Sequence, residues 1–428
     1  MRNAVQRDIK LAKQYYFEKR VEQSKGDSGK LWANLRSLGY GAKGGGSSMS
    51  IVLEQEGSKV SSPLDVANAF NRFYTSVASN LVSLLPTASG TFSIYNTVFC
   101  HFHFNPRRFH KSFTLSPVSR GSVLKLLYAL NPNKAVGLDG IPSRFLRDAA
   151  PVIVEPISHI INISILTETV PDDFKRAKVT PLYKKGSKLD VGNYRPVSIL
   201  PVLSKLLEKV VNTQLTEFLE KNSILLSNQS GFRGRFSTDT CTIDLTDYVK
   251  SEISCGRMVG MTLIDLCKAF DTVNHDILLE KMAAMGVSSV EWFRSYLSQR
   301  SQCVTIGDFQ SDFVAISCGV PQGSILGPQL FLLYINDMIV STTNCKLSLY
   351  ADDSALIFSH TDPTVIASTL SNELSSCKSW LIDNKLSLHV GKTECILFGS
   401  PKRLKRVRDF SVSCDGQLVN RVSSVKYL

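Results

Sequence analysis

The chain has 428 residues, 43% of them apolar, which is more than one average domain and enough for a large core. Its 49 Lys and Arg against 37 Asp and Glu leave a net charge of +12, which favours a polyanionic partner, most simply nucleic acid. A disulfide framework is excluded by ten scattered cysteines with no Cys-x-x-Cys pair, and no apolar run approaches the roughly 18 residues of a membrane span.

Residues 1–38 read as a helix in which Tyr15, Tyr16, Phe17 and Val21 lie among lysines and arginines, and the N-terminus has no apolar signal-peptide core, so a non-secreted, intracellular protein is expected. The Gly/Ser-rich stretch near 39–48 reads as a flexible linker. Val66, Phe70, Phe73, Val77, Leu81 and Leu84 line one face of a helix predicted over 66–85. Residues 86–114 carry no assignable pattern, and the spacing of Cys100, His103 and His110 matches no common zinc site. Further helices are expected over 118–130 and at about 143–150, 152–168 and 200–221, with a strand at 177–183. Mixed helices and antiparallel hairpins point to an α+β fold rather than a doubly wound sheet.

The chemistry gathers in the second half. Met261 to Leu266 is an apolar strand interrupted by Asp265, a costly placement unless the carboxylate is paired or meets a metal. A helix is expected to open at Cys267-Lys268-Ala269-Phe270-Asp271 and run to Met285, which leaves the alternative that Asp265 caps it. Gly319, Gly323 and Gly327 flank Gln322 in a loop that permits close backbone approach to a ligand, ahead of a buried helix at 329–335. Tyr350-Ala351-Asp352-Asp353 lies between two short apolar runs, the pattern of a hairpin with carboxylates at its tip. Asp-Asp alone is ordinary turn chemistry. With Asp265 on a neighbouring strand, the three carboxylates would form the cluster that two-metal phosphoryl transfer requires.

Four motifs occur in order: Asn193-Tyr194-Arg195-Pro196-Val197-Ser198, Asp265-x-x-Lys268-Ala269-Phe270-Asp271, Gly319-Val320-Pro321-Gln322-Gly323-Ser324 and Tyr350-Ala351-Asp352-Asp353. Together they resemble reverse transcriptases, and within them the non-LTR (LINE-type, jockey-like) retrotransposon group, over roughly residues 115–428. The resemblance implies a right-hand polymerase with fingers and an antiparallel palm sheet packed on helices. It implies RNA-directed DNA synthesis from dNTPs on an RNA template and a DNA primer, with two Mg²⁺ ions (Mn²⁺ as an alternative) on Asp265, Asp352 and Asp353. It also implies roles for Arg195 and for Lys184 or Lys185 in holding the triphosphate, and for Phe270 in excluding a 2′-hydroxyl. Gln322 and Gly323 would line the nucleotide pocket, and Lys392, in Gly391-Lys392-Thr393, would meet the leaving pyrophosphate. Arg233, Arg235 and Tyr350 would face template and primer.

On this reading residues 1–114 are a connector and 115–428 hold fingers and palm, with a core from about 170. The chain is expected to stop before the thumb, at the primer-grip hairpin, and to lack the endonuclease usual upstream. A ribonucleoprotein of nucleus and cytoplasm is expected, without a membrane partner. The basic run Pro401 to Arg408 is open to three readings: a nucleic-acid contact, a solvated loop or a localisation signal. Two rival functions stand beside the main one: an RNA-dependent RNA polymerase, against which Phe270 argues, and a catalytically inactive nucleic-acid-binding remnant.

Overall fold

The computed structural model describes residues 51–55, 57–86 and 112–425, together with Tyr15, Tyr16 and Lys19. The Gly/Ser stretch, the Cys100, His103 and His110 group and nearly all of the helix expected over 1–38 lie outside the described residues. Helices and sheets are mixed, in keeping with the expected α+β class.

A central five-stranded sheet positions the acidic residues. It is built from β5 (Met258–Ile264), β9 (Lys346–Tyr350), β10 (Asp353–His360), β11 (Glu394–Phe398) and β12 (Asn420–Arg421), in the order β12-β11-β5-β10-β9. Only the β11–β12 contact is parallel. The two-residue period of the strands sorts its side chains cleanly. Val259 and Met261 of β5, Ala355 and Ile357 of β10 and Ile396 of β11 share a core with helix α6 (Thr238–Ser254) on one face. Met258, Leu356, Leu347, Leu349, Cys395 and Leu397 face the other way, into the main core with helix α10 (Pro363–Asp383). Both helices begin on good caps. Ser237 and Thr240 form a reciprocal capping box, and Asp362 accepts from the Thr364 amide just before Pro363.

A second sheet runs β4 (Tyr194–Ile199), β3 (Arg176–Tyr183), β6 (Arg300–Ile306), β7 (Phe309–Gln310), with β8 (Val314–Ile316) also on β6. Helix α1 (Pro63–Ser83) covers it: Val66, Ala67, Phe70 and Tyr74 pack with Val179, Tyr194, Val304 and Ile306, joined by Leu53 of the small hairpin β1 (Leu53–Gln55) and β2 (Ser58–Val60). The segment expected as a connector therefore completes the core of this sheet.

Helices α2 (Arg120–Tyr128), α3 (Ser143–Asp148), α4 (Ala150–Leu166), α5 (Val202–Lys221), α7 (His275–Ala284), α8 (Val290–Leu297) and α9 (Leu326–Ile335) join one face of the central sheet in the main core. Helix α9 is buried on nearly every side. A buried polar knot ties two of these helices, α5 and α8, to the start of α9. The Glu208 carboxylate of α5 accepts from Tyr296 Oη of α8 at 3.0 Å and from the Ile325 amide at 2.5 Å. Burial holds its proton affinity up, against the pull of those donors and of Arg300.

Candidate active site

Tyr350 of β9 pairs with Asp353 of β10, so Ala351 and Asp352 form a two-residue hairpin turn. Ala351 takes a φ of 56°, the left-handed geometry such turns require. Strand β5 lies beside β10 with Ile264 opposite Ser354. One further step in that antiparallel register brings Asp265 level with Asp353. Asp265 sits just past the end of β5, not inside it as expected, because the chain there leaves the ladder to run beside residues 387–389. The His389 amide donates to Asp265 O at 2.8 Å and the Cys267 amide to Ser387 O at 2.8 Å. Adjacent strands thus deliver all three carboxylates to one end of the sheet.

Their charges interact. Asp352 and Asp353 both reach solvent, yet crowding by surrounding protein is the leading cause that raises their proton affinity. Repulsion from Asp265 adds to it at both, and at Asp353 so does repulsion from Asp352. Arg195 opposes the rise at Asp352, and Lys184 does so at both. Among the described residues no three Asp, Glu, His or Cys side chains already stand in ligating arrangement. The donor set nevertheless fits a hard divalent cation: three carboxylates whose mutual repulsion a cation would relieve, on a backbone that already converges.

The turn is held by Gln229, which no motif reading picked out. Gln229 is fully buried, and its Oε1 accepts from the Gly231 amide at 2.7 Å and from the Ala351 amide at 3.0 Å. Gly231 packs so closely that a Cβ there would lie 2.3 Å from Ala351 N. Ser230 N donates to Leu349 O and Leu349 N to Asn228 O, so residues 228–230 extend the sheet beyond β9. The strongest available signal was Gly231 itself, in the Ser230-Gly231-Phe232-Arg233 run.

Arg233, expected to face the template, is instead turned inward. Its guanidinium makes a two-point pair with Glu220 at 3.0 and 3.1 Å, donates to Leu226 O at 2.7 Å and lies over the Phe236 ring. Those bonds use its donors to brace the loop rather than to meet phosphate. Arg235 is exposed, and Tyr350 packs at the edge of the core under α6.

Residues 267–274 form turns, and α7 begins only at His275, capped by Asn274 Oδ1 on the Ile277 amide at 3.0 Å. The expected helix from Cys267 is therefore shorter, and Asp265 lies too far from its start to cap it. Lys268 at φ 48° turns the chain there, and its carbonyl accepts from the Asp271 and Thr272 amides. This places Phe270 on Phe331, rings stacked at 4.4 Å, with exposed Phe232 against its edge at 6.2 Å. The Phe270 carbonyl accepts from Val320 N at 2.8 Å, which brings the 319–324 loop alongside. Within that loop the Gln322 carbonyl accepts from Ser198 N at 2.8 Å. Gly323 has φ 130° and no room for a Cβ, which would fall 2.3 Å from Ser198 O.

Cations ring this floor. Lys184, Arg195 and Lys392 all act on Lys268, whose ammonium burial and these neighbours make easier to deprotonate while Asp271 opposes the change. Lys185 is exposed next to Lys184, and Lys392 ends a short turn at Val390–Lys392. Lys268 and Asp271 are the site members that sequence reading quoted without a role.

A family model described as "Reverse transcriptase (RNA-dependent DNA polymerase)" matches residues 182–428. The chain belongs to this reverse transcriptase family. It is 26% identical over 330 residues, 75% of its length, to the RNA-directed DNA polymerase from mobile element jockey of Drosophila funebris. It is also 26% identical over 326 residues, 74% of its length, to the probable RNA-directed DNA polymerase from transposon BS of Drosophila melanogaster. A Pol polyprotein from the type-1 retrotransposable element R1 of Bradysia coprophila is 24% identical over 302 residues, 69% of this chain and 29% of the relative. The chain spans about a third of the length of its relatives, 36% for jockey and BS. The resemblance read from the motifs is therefore borne out. No helix among the described residues is long and apolar enough to cross a membrane.

Proposed function

We propose that this reverse transcriptase chain is the fingers and palm of an RNA-directed DNA polymerase from a non-LTR retrotransposon. The second sheet would form the fingers and the central sheet the palm. The observation that carries the reading is the register of β5, β9 and β10, which delivers Asp265, Asp352 and Asp353 to one sheet end inside a family-matched segment. These three residues would hold divalent metal, two Mg²⁺ with Mn²⁺ as a substitute, which when bound activates the primer hydroxyl and neutralises developing phosphate charge. Lys184, Arg195, Lys268 and Lys392 would clamp the triphosphate by charge. Phe270, braced between Phe331 and Phe232, would close the space beside the sugar against a 2′-hydroxyl. RNA template, DNA primer and dNTPs are the implied partners, in a ribonucleoprotein.

Primer extension on an RNA template by the full chain tests this. Asp352→Asn should lower extension by several kcal/mol of barrier, on the order of 10³-fold, while template–primer binding persists. Extension unaffected by Asp352→Asn would remove the assignment. Incorporation of NTPs in place of dNTPs would convert it to an RNA polymerase. Nucleic-acid binding by a wild-type chain that never extends would leave the inactive remnant.

A further inference from the structure

The carboxylate of Asp271 is not one of the acidic trio, and its contacts point to a separate task. Gln322 Nε2 donates to Asp271 Oδ1 at 2.8 Å. The Gln322 backbone is pinned independently, through its carbonyl on Ser198 N and through the crowded Gly323 that follows. With the backbone fixed, the remaining freedom of Gln322 is its side chain, and one bond to Asp271 decides it. An ionised carboxylate only accepts, so the amide nitrogen must turn to Asp271 and the amide oxygen must point the other way. Asp271 is itself anchored: its amide donates to Lys268 O, and the Gly319 and Val320 amides donate to Val273 O and Phe270 O on either side of it. Burial pushes its proton affinity up, and the bond from Gln322 and the charges of Lys268 and Arg195 oppose that rise, while Tyr74 of α1 feels the carboxylate's charge. The Lys268 ammonium lies over the Phe73 ring, so helix α1 backs the same cluster.

We infer that Asp271 is a positioning residue that fixes which end of the Gln322 amide faces the incoming nucleotide, so that Gln322 offers an acceptor. Asp271 touches neither the acidic trio nor the nucleotide and acts through Gln322. This rests on the polymerase reading, in which Gln322 lines the nucleotide pocket.

The test is a double-mutant cycle on single-nucleotide extension by the full chain, measuring KM for dNTP and kcat separately. Asp271→Ala removes one charge-assisted hydrogen bond and should raise KM about tenfold, with kcat changed less than about threefold. Gln322→Ala should raise KM similarly, and the double variant should be no worse than Gln322→Ala alone. Template–primer affinity should stay constant throughout. Asp271→Asn keeps an acceptor in place and should recover most of the loss. If Asp271→Ala fails to fold, Asp271→Asn in wild-type and Gln322→Ala backgrounds carries the comparison, its smaller KM effect vanishing in the second. Multiplying KM effects, or an unchanged KM in Asp271→Ala, would overturn the inference while leaving an active wild type and the polymerase reading intact. A wild-type chain that incorporates no dNTP would remove that reading and the inference with it.

Discussion

Gln229 shows how a residue outside every motif governs the chemistry-bearing turn. One amide oxygen satisfies two backbone donors, at Gly231 and Ala351. Gln229→Leu keeps the volume but strands both donors, at about 1–3 kcal/mol. Thermal melts should show that loss, and primer extension should fall by at least about tenfold because the Ala351-Asp352 turn loses its brace. His275 offers a pH signature. Burial depresses its pKa below the ordinary 6.5, against the Gly319 carbonyl and Asp276, while Arg300 reinforces the shift. The folded chain therefore keeps His275 neutral where the unfolded chain is protonated. Stability from this residue is complete above about 6.5 and is lost as pH falls from there through the lowered folded value. Denaturant midpoints measured between pH 7 and 5 should drop more steeply for the wild type than for His275→Phe, and equal slopes would show that His275 does not titrate in this way.

At the level of elements, helix α1 is part of the sheet it covers. Asn71 is almost fully buried, and its amide donates to Asp312 O at 2.8 Å and to Gln302 O at 3.4 Å, while Gln302 Nε2 returns a bond to Asn71 Oδ1 at 3.2 Å. Asn71→Ala removes this clasp and should cost about 1–3 kcal/mol. Phe70→Ala, at the centre of the same core, should cost about 3–5 kcal/mol. Urea unfolding of the two variants checks both, and loss of dNTP affinity is expected alongside, since Phe73 and Tyr74 of this helix flank Lys268 and Asp271. A chain cut at residue 115 would expose Val179, Tyr194, Val304 and Ile306 and should aggregate.

Across the whole molecule, the net charge of +12 is not confined to the catalytic end. The basic run contains a short helix, Pro401–Leu404, and Arg403 donates to the carbonyl of Gly256, just before β5 begins. Asp265 lies at the opposite end of β5, about 20 Å away at ~3.3 Å per strand residue. This basic run and the acidic site are thereby separated along one strand. Phosphate contact at the basic run should appear as salt dependence without any change in nucleotide handling. Reversing Lys402, Lys405 and Arg406 to Glu should flatten the plot of log affinity for RNA against log salt by up to about one unit per residue, leaving KM for dNTP unchanged. An unaltered salt slope would make this run a solvated loop.

The identity of the family and the acidic pair at a hairpin tip were legible in the residues alone. Motif order, apolar alternation and turn chemistry are local properties, and they survive without any knowledge of packing. The helices at 66–85, 143–150 and 200–221 were legible for the same reason. The turns over 267–274 were not, because Lys268 adopts a left-handed backbone that helical spacing does not reveal. Nor could local pattern show that Arg233 turns inward to Glu220, that Gln229 grips the acidic turn, or that α1 reaches Lys268 and Asp271. Each of those depends on contacts between distant parts of the chain, and the register of β5 against β10 is the contact on which the site turns. The sequence by itself determined which carboxylates this reverse transcriptase carries. Only the tertiary structure decided that they share one end of the sheet, because strand pairing is what brings Asp265 across 88 residues to the level of Asp353.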